Sequence, residues 1–397
     1  MIWLKIKIQF IIIILFMLPV FSSCAARELD SISLVTAVGI DKDGDGYLVT
    51  YQVLNPKAIA SQKSVYESPI VIYTEKGPDL GQIERRVTTQ AARKMYTAHV
   101  RAVVLGEDVA RDGIREILDY LFRSNEYRTD HYFIIAKGTT AGQILKTVTM
   151  IQPVSGIKLY ESIENSKKWW SPTNSLRIVE LINTINAKGS NPVLAGIELE
   201  EQDDIDTVER LKKTDPGEVR YTSLGAFRGD KLVGWLDESE SLVLSSLLGK
   251  AKNSAGNVRI DKDTLVSLNF KNKKPLIDVY MSDGEPIIDV VLQFEMSITA
   301  QTGDIDFTKP ENADTLKLMV DEKYEGLCGK LLEKAQKELK TDIFGFGERI
   351  HRACPQAWND LKDNWNDEFS NLQVNFTVDS KLMDLGQNLK PIIKEEG

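Results

Sequence analysis

Cysteine and histidine are scarce in this sequence, with three residues of each in 397. Apart from one cysteine near the N-terminus, the only cysteines are Cys328 and Cys354. A structural zinc site usually takes four cysteine or histidine ligands in a tetrahedron. His351 precedes Cys354 by three residues. Together with Cys328 they supply three ligands, one fewer than a structural zinc site needs. The other two histidines, His99 and His131, each begin an apolar stretch, which favours packing or hydrogen-bonding roles.

The signature motifs of common enzyme classes are also missing. The sequence has no G-x-S-x-G nucleophile turn, no P-loop and no G-x-G-x-x-G fingerprint. Gly345-Phe346-Gly347 lacks the preceding strand of a phosphate site and instead predicts a tight turn before a helix. We therefore predict no catalytic residues, no metal site and no cofactor. A hydrolase with an unfamiliar site is the alternative that short motifs leave open.

Positive charge is not in excess, since 49 lysines and arginines face 58 aspartates and glutamates and give a net charge of −9. Nucleic-acid phosphates require clustered lysine and arginine, so we expect no nucleic-acid partner. The same acidic balance argues against electrostatic adhesion to anionic lipid. The content of 42% hydrophobic and 27% charged residues is ordinary for folded, water-soluble domains.

One long apolar run is present, close to the N-terminus. Residues 10–20 carry no charge, Lys5 and Lys7 precede them, and small residues follow, which is the pattern of a secretory signal peptide. A run of about 11 residues is too short to cross a hydrocarbon core of about 30 Å as a helix. The segment ends in Phe21-Ser22-Ser23-Cys24.

The position of Cys24 indicates a bacterial lipobox, in which the thiol is acylated and the signal is cut before the cysteine, although Phe21 stands where leucine is usual. We predict a signal peptide over residues 1–23 and lipid attachment at Cys24. The alternatives are an ordinary signal peptide with an incidental cysteine and a signal anchor that is never cut. Acyl chains hold a protein firmly, because each buried methylene contributes about 0.8 kcal/mol.

An exported protein could also pair Cys328 with Cys354, but the sequence does not show that their Cα atoms approach.

The length predicts two or three domains, at roughly 100–200 residues each. Residues 24–200 mix strand and helix patterns, and the Asp- and Gly-rich segment 41–46 predicts a hairpin turn. Residues 201–218 are highly charged and predict a solvated linker. Residues 219–397 predict a second region of hairpins and a long helix. The predicted fold class is α+β, a mixed multi-domain body with largely antiparallel sheets.

Two apolar patterns predict helix faces that pack in the interior. The first is the stripe Ile114, Ile117, Leu118, Leu121 and Phe122, and the second is Trp358, Leu361 and Trp365.

Two further features have competing interpretations. Asp41-x-Asp43-x-Asp45-Gly46 resembles the start of an EF-hand calcium loop, but Gln52 stands where the bidentate glutamate is expected and the flanks are strand-like. A hairpin turn has the same composition for conformational reasons, and we prefer that interpretation. Trp169-Trp170 is either an interface patch or a partly buried aromatic pair at a helix end.

Several blocks occur in a recognisable order over the chain after the signal region. They are Arg27-Glu28-Leu29-Asp30, Val38-Gly39-Ile40-Asp41, Val53-Leu54-Asn55-Pro56-Lys57, the block 99–113, Leu232-Val233-Gly234-Trp235-Leu236 with Glu240-Ser241, and Asp342-Ile343-Phe344-Gly345-Phe346-Gly347-Glu348 with Trp358 and Trp365. Together they resemble the C-subunit lipoproteins of spore germinant receptors, the Ger(x)C family. Ala25-Ala26 departs from the family, which often has tryptophan shortly after the lipid-bearing cysteine.

The resemblance implies a mixed α and β body in three domains and a non-enzymatic subunit. In this family the subunit acts with two integral membrane partners, an A and a B subunit, at the outer face of the spore inner membrane. The complex responds to small nutrients and starts germination. Only Cys24 maps onto a family position with defined chemistry, as the lipid attachment site.

Two other classes of protein compete with the receptor subunit. An extracytoplasmic solute-binding lipoprotein of a transporter would have a two-lobed fold of helices alternating with parallel strands, whereas the predicted hairpins favour antiparallel pairing. A lipid-anchored hydrolase would need a nucleophile motif that the sequence does not show.

Overall fold

The computed structural model of the chain describes Trp3 and residues 31–60, 67–149, 151–170, 172–200 and 219–384. The predicted signal peptide, the attachment site at Cys24 and the charged segment 201–218 lie outside the described residues, apart from Trp3.

Nine strands form the first sheet. They are β1 Ile32–Asp43, β2 Gly46–Leu54, β3 Ile70–Gly77, β4 Lys94–Tyr96, β5 Ala102–Gly106, β6 Tyr132–Ala136, β7 Val193–Leu199, β8 Val219–Arg228 and β9 Lys231–Leu236. Their order is β3-β2-β1-β5-β6-β7-β8-β9, and β4 pairs with the start of β1. The hairpin predicted around residues 41–46 is confirmed, because β1 and β2 pair up to Asp43 opposite Gly46.

The first sheet is mixed. The hairpins β1-β2 and β8-β9 are antiparallel, as are the pairs β2-β3 and β7-β8. The neighbours β1, β5, β6 and β7 run parallel. Helical segments connect β5 to β6 and β6 to β7, and such crossover connections produce parallel pairs. The α+β prediction is confirmed, with a parallel centre that the sequence patterns did not indicate.

Helices cover both faces of this sheet. They are α1 Pro56–Ala60, α2 Leu80–Arg86, α3 Glu107–Asp112, α4 Arg115–Arg123, α5 Ala141–Lys146, α6 Ser155–Trp169 and α7 Ile178–Asn186. One face packs against α2, α3, α4 and α7, and the opposite face packs against α5 and α6. The sequence folds this way because strands β5 and β6 are buried along their whole length and need apolar partners on both sides.

The second sheet has four strands in the order β10-β11-β12-β13, namely β10 Asn253–Arg259, β11 Leu265–Ser282, β12 Glu285–Gln301 and β13 Gln373–Asp384. The first three pair antiparallel, and β13 runs parallel to β12. The helices of this half are α8 Glu238–Leu247, α9 Pro310–Glu333, α10 Phe346–Ala353, α11 Pro355–Leu361 and α12 Trp365–Phe369. A π-helical turn, Lys334–Leu339, continues α9.

Strands β8 and β9 follow the charged segment 201–218 but pair into the first sheet, whereas the second sheet begins at Asn253. The sheet therefore continues across the boundary that we placed at residues 201–218, and the division of the chain into domains there stays a prediction.

The two predicted helix faces have different outcomes. In α4, Ile117, Leu118 and Leu121 are buried as predicted. The prediction for Phe122 is wrong, because its side chain is 55% exposed. Trp358 and Trp365 are both buried, although they lie in the separate helices α11 and α12.

Candidate functional site

Two carboxylates of the motif that resembles a calcium loop accept hydrogen bonds from other parts of the protein. Asp41 is buried in β1, and its carboxylate accepts hydrogen bonds from the backbone nitrogens of Ala141 at 2.8 Å and Gly142 at 2.9 Å. Asp43 accepts from Lys76 Nζ at 2.8 Å. The carboxylate of Asp41 thus satisfies the first amides of α5, where the positive end of a helix favours an anion.

The two described cysteines are free thiols. Cys328 is buried in α9, and burial raises the pKa of its thiol to about 12. Cys354 is half-buried between α10 and α11. His351 stacks on Trp358 with ring centres 5.7 Å apart. Within the described ranges, no three histidine, cysteine, aspartate or glutamate side chains are grouped so as to hold a metal ion.

The Gly345-Phe346-Gly347 segment forms the predicted tight turn before a helix. Gly345 has a φ of 73°, and α10 begins at Phe346. Asp342 is fully buried beneath this turn. Burial raises the pKa of its carboxyl to about 6. The hydrogen bonds that it accepts favour the ionised form and limit this rise.

A buried lysine that the sequence patterns did not single out lies in the second half of the molecule, between β11 and the helices α8 and α9. Lys273 occupies the irregular part of β11, between Lys271 and Lys274, where the register with β12 shifts. Its Nζ donates to Ser246 Oγ of α8 at 3.1 Å and to Tyr324 OH of α9 at 3.5 Å.

Three aromatic rings surround this amine. The distances from Lys273 Nζ to the ring centres of Phe270, Phe294 and Tyr324 are 5.4, 5.8 and 5.1 Å. Burial lowers the pKa of Lys273 to about 7. The electrostatic interaction with Cys328 acts in the opposite direction and offsets part of this lowering. The alternation of β11 predicts strand but does not show that a lysine side chain faces the interior.

Several described residues expose large apolar side chains, and two of these places are suited to binding a partner protein. Trp169, at the end of α6, is 75% exposed, and Trp170 donates from its indole to Glu238 Oε1 at 2.8 Å. The arrangement favours the interface interpretation of this pair over the buried one.

The second place is a cleft between α4 and α7. Leu118, Phe122, Ile182 and Ile185 form its apolar wall, and Arg115, Asp119 and Asn186 also line it. Its volume is about 170 Å³, below the roughly 300–1,000 Å³ of typical small-molecule sites. The cleft therefore suits an inserted side chain from a protein partner better than a whole ligand.

Among the described residues, no helix is long and apolar enough to cross a membrane.

Comparison with known proteins gives the family. A family described as the spore germination protein N-terminal domain matches residues 25–199, and a second, described as spore germination B3/GerAC like, C-terminal, matches residues 222–386. The two matches lie on either side of the charged segment and together cover most of the chain.

Similar proteins extend over nearly the same length. Spore germination protein KC of Bacillus subtilis (strain 168) is 26% identical over 92% of this chain and 92% of its own. Spore germination protein B3 of the same organism is 23% identical over 94% of this chain and 97% of its own. The crystal structure of the GerBC protein has a TM-score of 0.55 at 19% identity and covers 87% of this chain and 96% of that chain, which shows a shared fold. The chain therefore belongs to the GerAC family of spore germination proteins.

Proposed function

We propose that this chain is a lipid-anchored, non-enzymatic subunit of a spore germinant receptor. In this proposal it acts with two integral membrane subunits, A and B, at the outer face of the spore inner membrane. The observation that carries the proposal is the similarity to spore germination proteins over both halves of the chain, at residues 25–199 and 222–386. The similarity includes the core of both sheets and is not confined to one motif.

The surface supports a role in binding proteins. The α4–α7 cleft presents apolar groups that include the exposed ring of Phe122, and aromatic anchors that become buried in an interface contribute strongly to protein binding. A subunit that binds membrane partners needs such contacts outside its own core.

The proposed anchor is Cys24. Six residues separate it from Ser31, where the described body begins. At about 3.3–3.6 Å per residue, an extended segment of this length spans about 25 Å, so an acylated Cys24 would keep the body close to the bilayer.

Metabolic labelling with a palmitate analogue tests the anchor in a sporulating host. The wild type and a Cys354→Ala control should incorporate label and sediment with membranes, whereas Cys24→Ala should do neither. An unlabelled wild type, or a Cys24→Ala variant that stays membrane-bound as before, would overturn lipid anchoring.

Deletion of the gene in a host lacking paralogues tests the receptor role. We expect nutrient-triggered germination to be lost while vegetative growth and uptake stay normal. Normal germination combined with lost uptake would instead indicate a solute-binding lipoprotein of a transporter.

A further inference from the structure

The parallel strands of the first sheet start from one end of the sheet, although not all at the same level. β1 starts opposite β4, and β5 starts opposite Ala37, five residues further along β1. β5 and β6 start opposite each other, at Ala102 and Tyr132. Ile32, where β1 starts, lies opposite Lys94 of β4. The backbone nitrogen of Arg101, just before β5, donates to the carbonyl of Thr36 at 2.8 Å.

Cationic side chains are concentrated at this edge and reach solvent. The side chain of Arg128 is 66% exposed, that of Lys94 is 49% exposed and that of Arg101 is 41% exposed. The set, which we call the basic edge, consists of Arg93, Lys94, Arg101, Arg128, Lys167, Lys168 and Arg177.

Aromatic rings join three of these cations. The Nζ of Lys167 lies 4.2 Å from the ring centre of Tyr132 and 2.8 Å from its hydroxyl oxygen. Arg177 lies 5.4 Å from the same ring, and Arg101 lies 5.5 Å from the ring of Tyr160. Because Tyr132 begins β6, these contacts hold cations of α6 and of the segment before α7 at the start of the parallel strands.

Carboxylates offset part of this charge. Asp130, for example, lies 3.2 Å from Arg101 and 3.7 Å from Arg128. In the described residues, the carboxylates that interact with the basic edge are Glu84, Glu126, Asp130, Glu164 and Glu180. Seven cations against these five give the edge a local positive charge, although the chain as a whole carries −9.

The chain reaches the described body at this same edge. The segment that leads from Cys24 to Ser31 joins β1 directly, and Lys94 is the partner of Ile32. The Cα atom of Cys24 would therefore lie at most about 25 Å from that of Ser31, which precedes the partner of Lys94 in β1.

We propose that the basic edge lies against anionic phospholipid headgroups and orients the anchored body on the membrane. The inference rests on the proposed anchoring at Cys24. A lysine or arginine near an anionic bilayer surface strengthens binding about fivefold. The net charge of the whole chain does not describe this edge, because the membrane responds to the charge within about a Debye length of its surface.

The exposed Trp169 supports this orientation. It follows Lys167 and Lys168 at the end of α6. Tryptophan is enriched at membrane interfaces, where its ring is amphipathic, and basic residues beside it favour anionic headgroups.

Vesicle co-sedimentation tests the inference without acylation. The core clusters of the described residues lie between residues 35 and 382, so a chain from residue 24 with Cys24→Ser keeps the packed body. We expect it to bind phosphatidylcholine vesicles that contain about 30 mol % phosphatidylglycerol, and not pure phosphatidylcholine. Binding should disappear at about 0.5 M NaCl, because salt screens surface charge.

Matched variants locate the binding surface. The triple variant Arg93→Gln, Lys94→Gln and Arg128→Gln should weaken binding to anionic vesicles about 100-fold. The control removes three exposed lysines from the other half of the molecule, Lys262, Lys330 and Lys381, and should bind like the parent. Equal losses in the two variants, or no salt-sensitive binding by the parent, would overturn the inference.

Lysine acetylation of the full chain in membranes gives the orientation. Mass spectrometry should show Lys94 and Lys168 protected when the membrane contains anionic lipid, and Lys262 and Lys330 reactive in all membranes. Equal reactivity of the two pairs would contradict the orientation.

The palmitate labelling and the vesicle binding distinguish the two proposals. Failure of Cys24 labelling with intact vesicle binding would overturn the proposed anchor alone. Labelling without vesicle binding would overturn the basic edge alone.

Discussion

The indole Nε1 of Trp365 donates a hydrogen bond to Asp342 Oδ2 at 3.1 Å, in the interior of the second half of the molecule. The same oxygen accepts from the backbone nitrogen of Gly347 at 2.9 Å. The other oxygen accepts from the nitrogens of Phe344 and Gly345 at 3.0 and 2.8 Å. One buried carboxylate thus joins the turn before α10 to α12.

Replacing Asp342 with asparagine should lower the free energy of unfolding by about 2–4 kcal/mol, because the amide places a donor where buried N–H groups need an acceptor. Urea denaturation at about pH 8, above the pKa of Asp342, measures the loss. The control is Asp363→Asn, since Asp363 is exposed and pairs with Lys188 at 2.6 Å. A difference between the two variants below about 1 kcal/mol would contradict the assigned role.

Asp41 gives a second prediction. Asp41→Ala leaves the first two amides of α5 without their acceptor, and we expect a loss of about 2–3 kcal/mol in thermal or urea unfolding. Asp45→Ala, in the exposed turn of the same motif, should stay within about 0.5 kcal/mol of the wild type. Equal losses at the two positions would show that the motif acts as a unit, as a bound cation would require.

Local features were predictable from the sequence because their interactions lie within a few residues. The turn at residues 41–46 joins β1 and β2 as expected. Thr140 caps α5 through Gln143 in a reciprocal capping box, an interaction between residues only three apart in the chain. The tight turn at Gly345 needs a positive φ that glycine adopts readily.

The remaining features depend on partners that are distant in the chain. Asp41 binds amides 100 and 101 residues away, so the motif alone could not show which group its carboxylate faces. Lys273 is buried because α8 and α9 close over the irregular part of β11. The exposure of Phe122 follows from the cleft between α4 and α7, which the helical stripe cannot reveal.

Lys273 gives a third prediction, for stability as a function of pH. Lys273→Met removes an amine whose charged form burial disfavours, while Ser246 Oγ still donates to the carbonyl of Leu242 at 2.8 Å. We expect the variant to be more stable than the wild type by about 1–4 kcal/mol near pH 6. Lys274→Met, at the exposed neighbouring position, should change stability by less than about 0.5 kcal/mol.

The gain should depend on pH in a defined direction. Below pH 7 the amine is protonated in both the folded and the unfolded chain, so the folded protein bears the full cost of burying the charge. Between the lowered pKa of about 7 in the folded protein and the ordinary lysine pKa of 10.5 in the unfolded chain, the unfolded chain binds the proton more strongly. Wild-type stability therefore rises with pH over this window. The advantage of Lys273→Met should therefore shrink over this window in urea titrations. A gain that is constant from pH 6 to pH 10 would contradict the lowered pKa.

The edge strand β13 gives the last prediction. Two carboxylates of α9 meet its outward-facing amides: Glu325 Oε1 accepts from the nitrogen of Val378 at 2.9 Å, and Asp321 Oδ1 accepts from that of Ser380 at 3.1 Å. Unpaired amides at a sheet edge can pair with another chain, so these carboxylates protect β13 against such pairing.

The double variant Asp321→Ala and Glu325→Ala should therefore lose about 2–3 kcal/mol of stability and associate more readily in concentrated solution. Hydrogen exchange should quicken at the amides of Val378 and Ser380 while the amides that β12 and β13 share stay protected. Glu322→Ala, on the exposed side of the same helix, is the control and should match the wild type in both measurements. Unchanged exchange at the two amides would show that water replaces the carboxylates without cost, and that the edge is protected in another way.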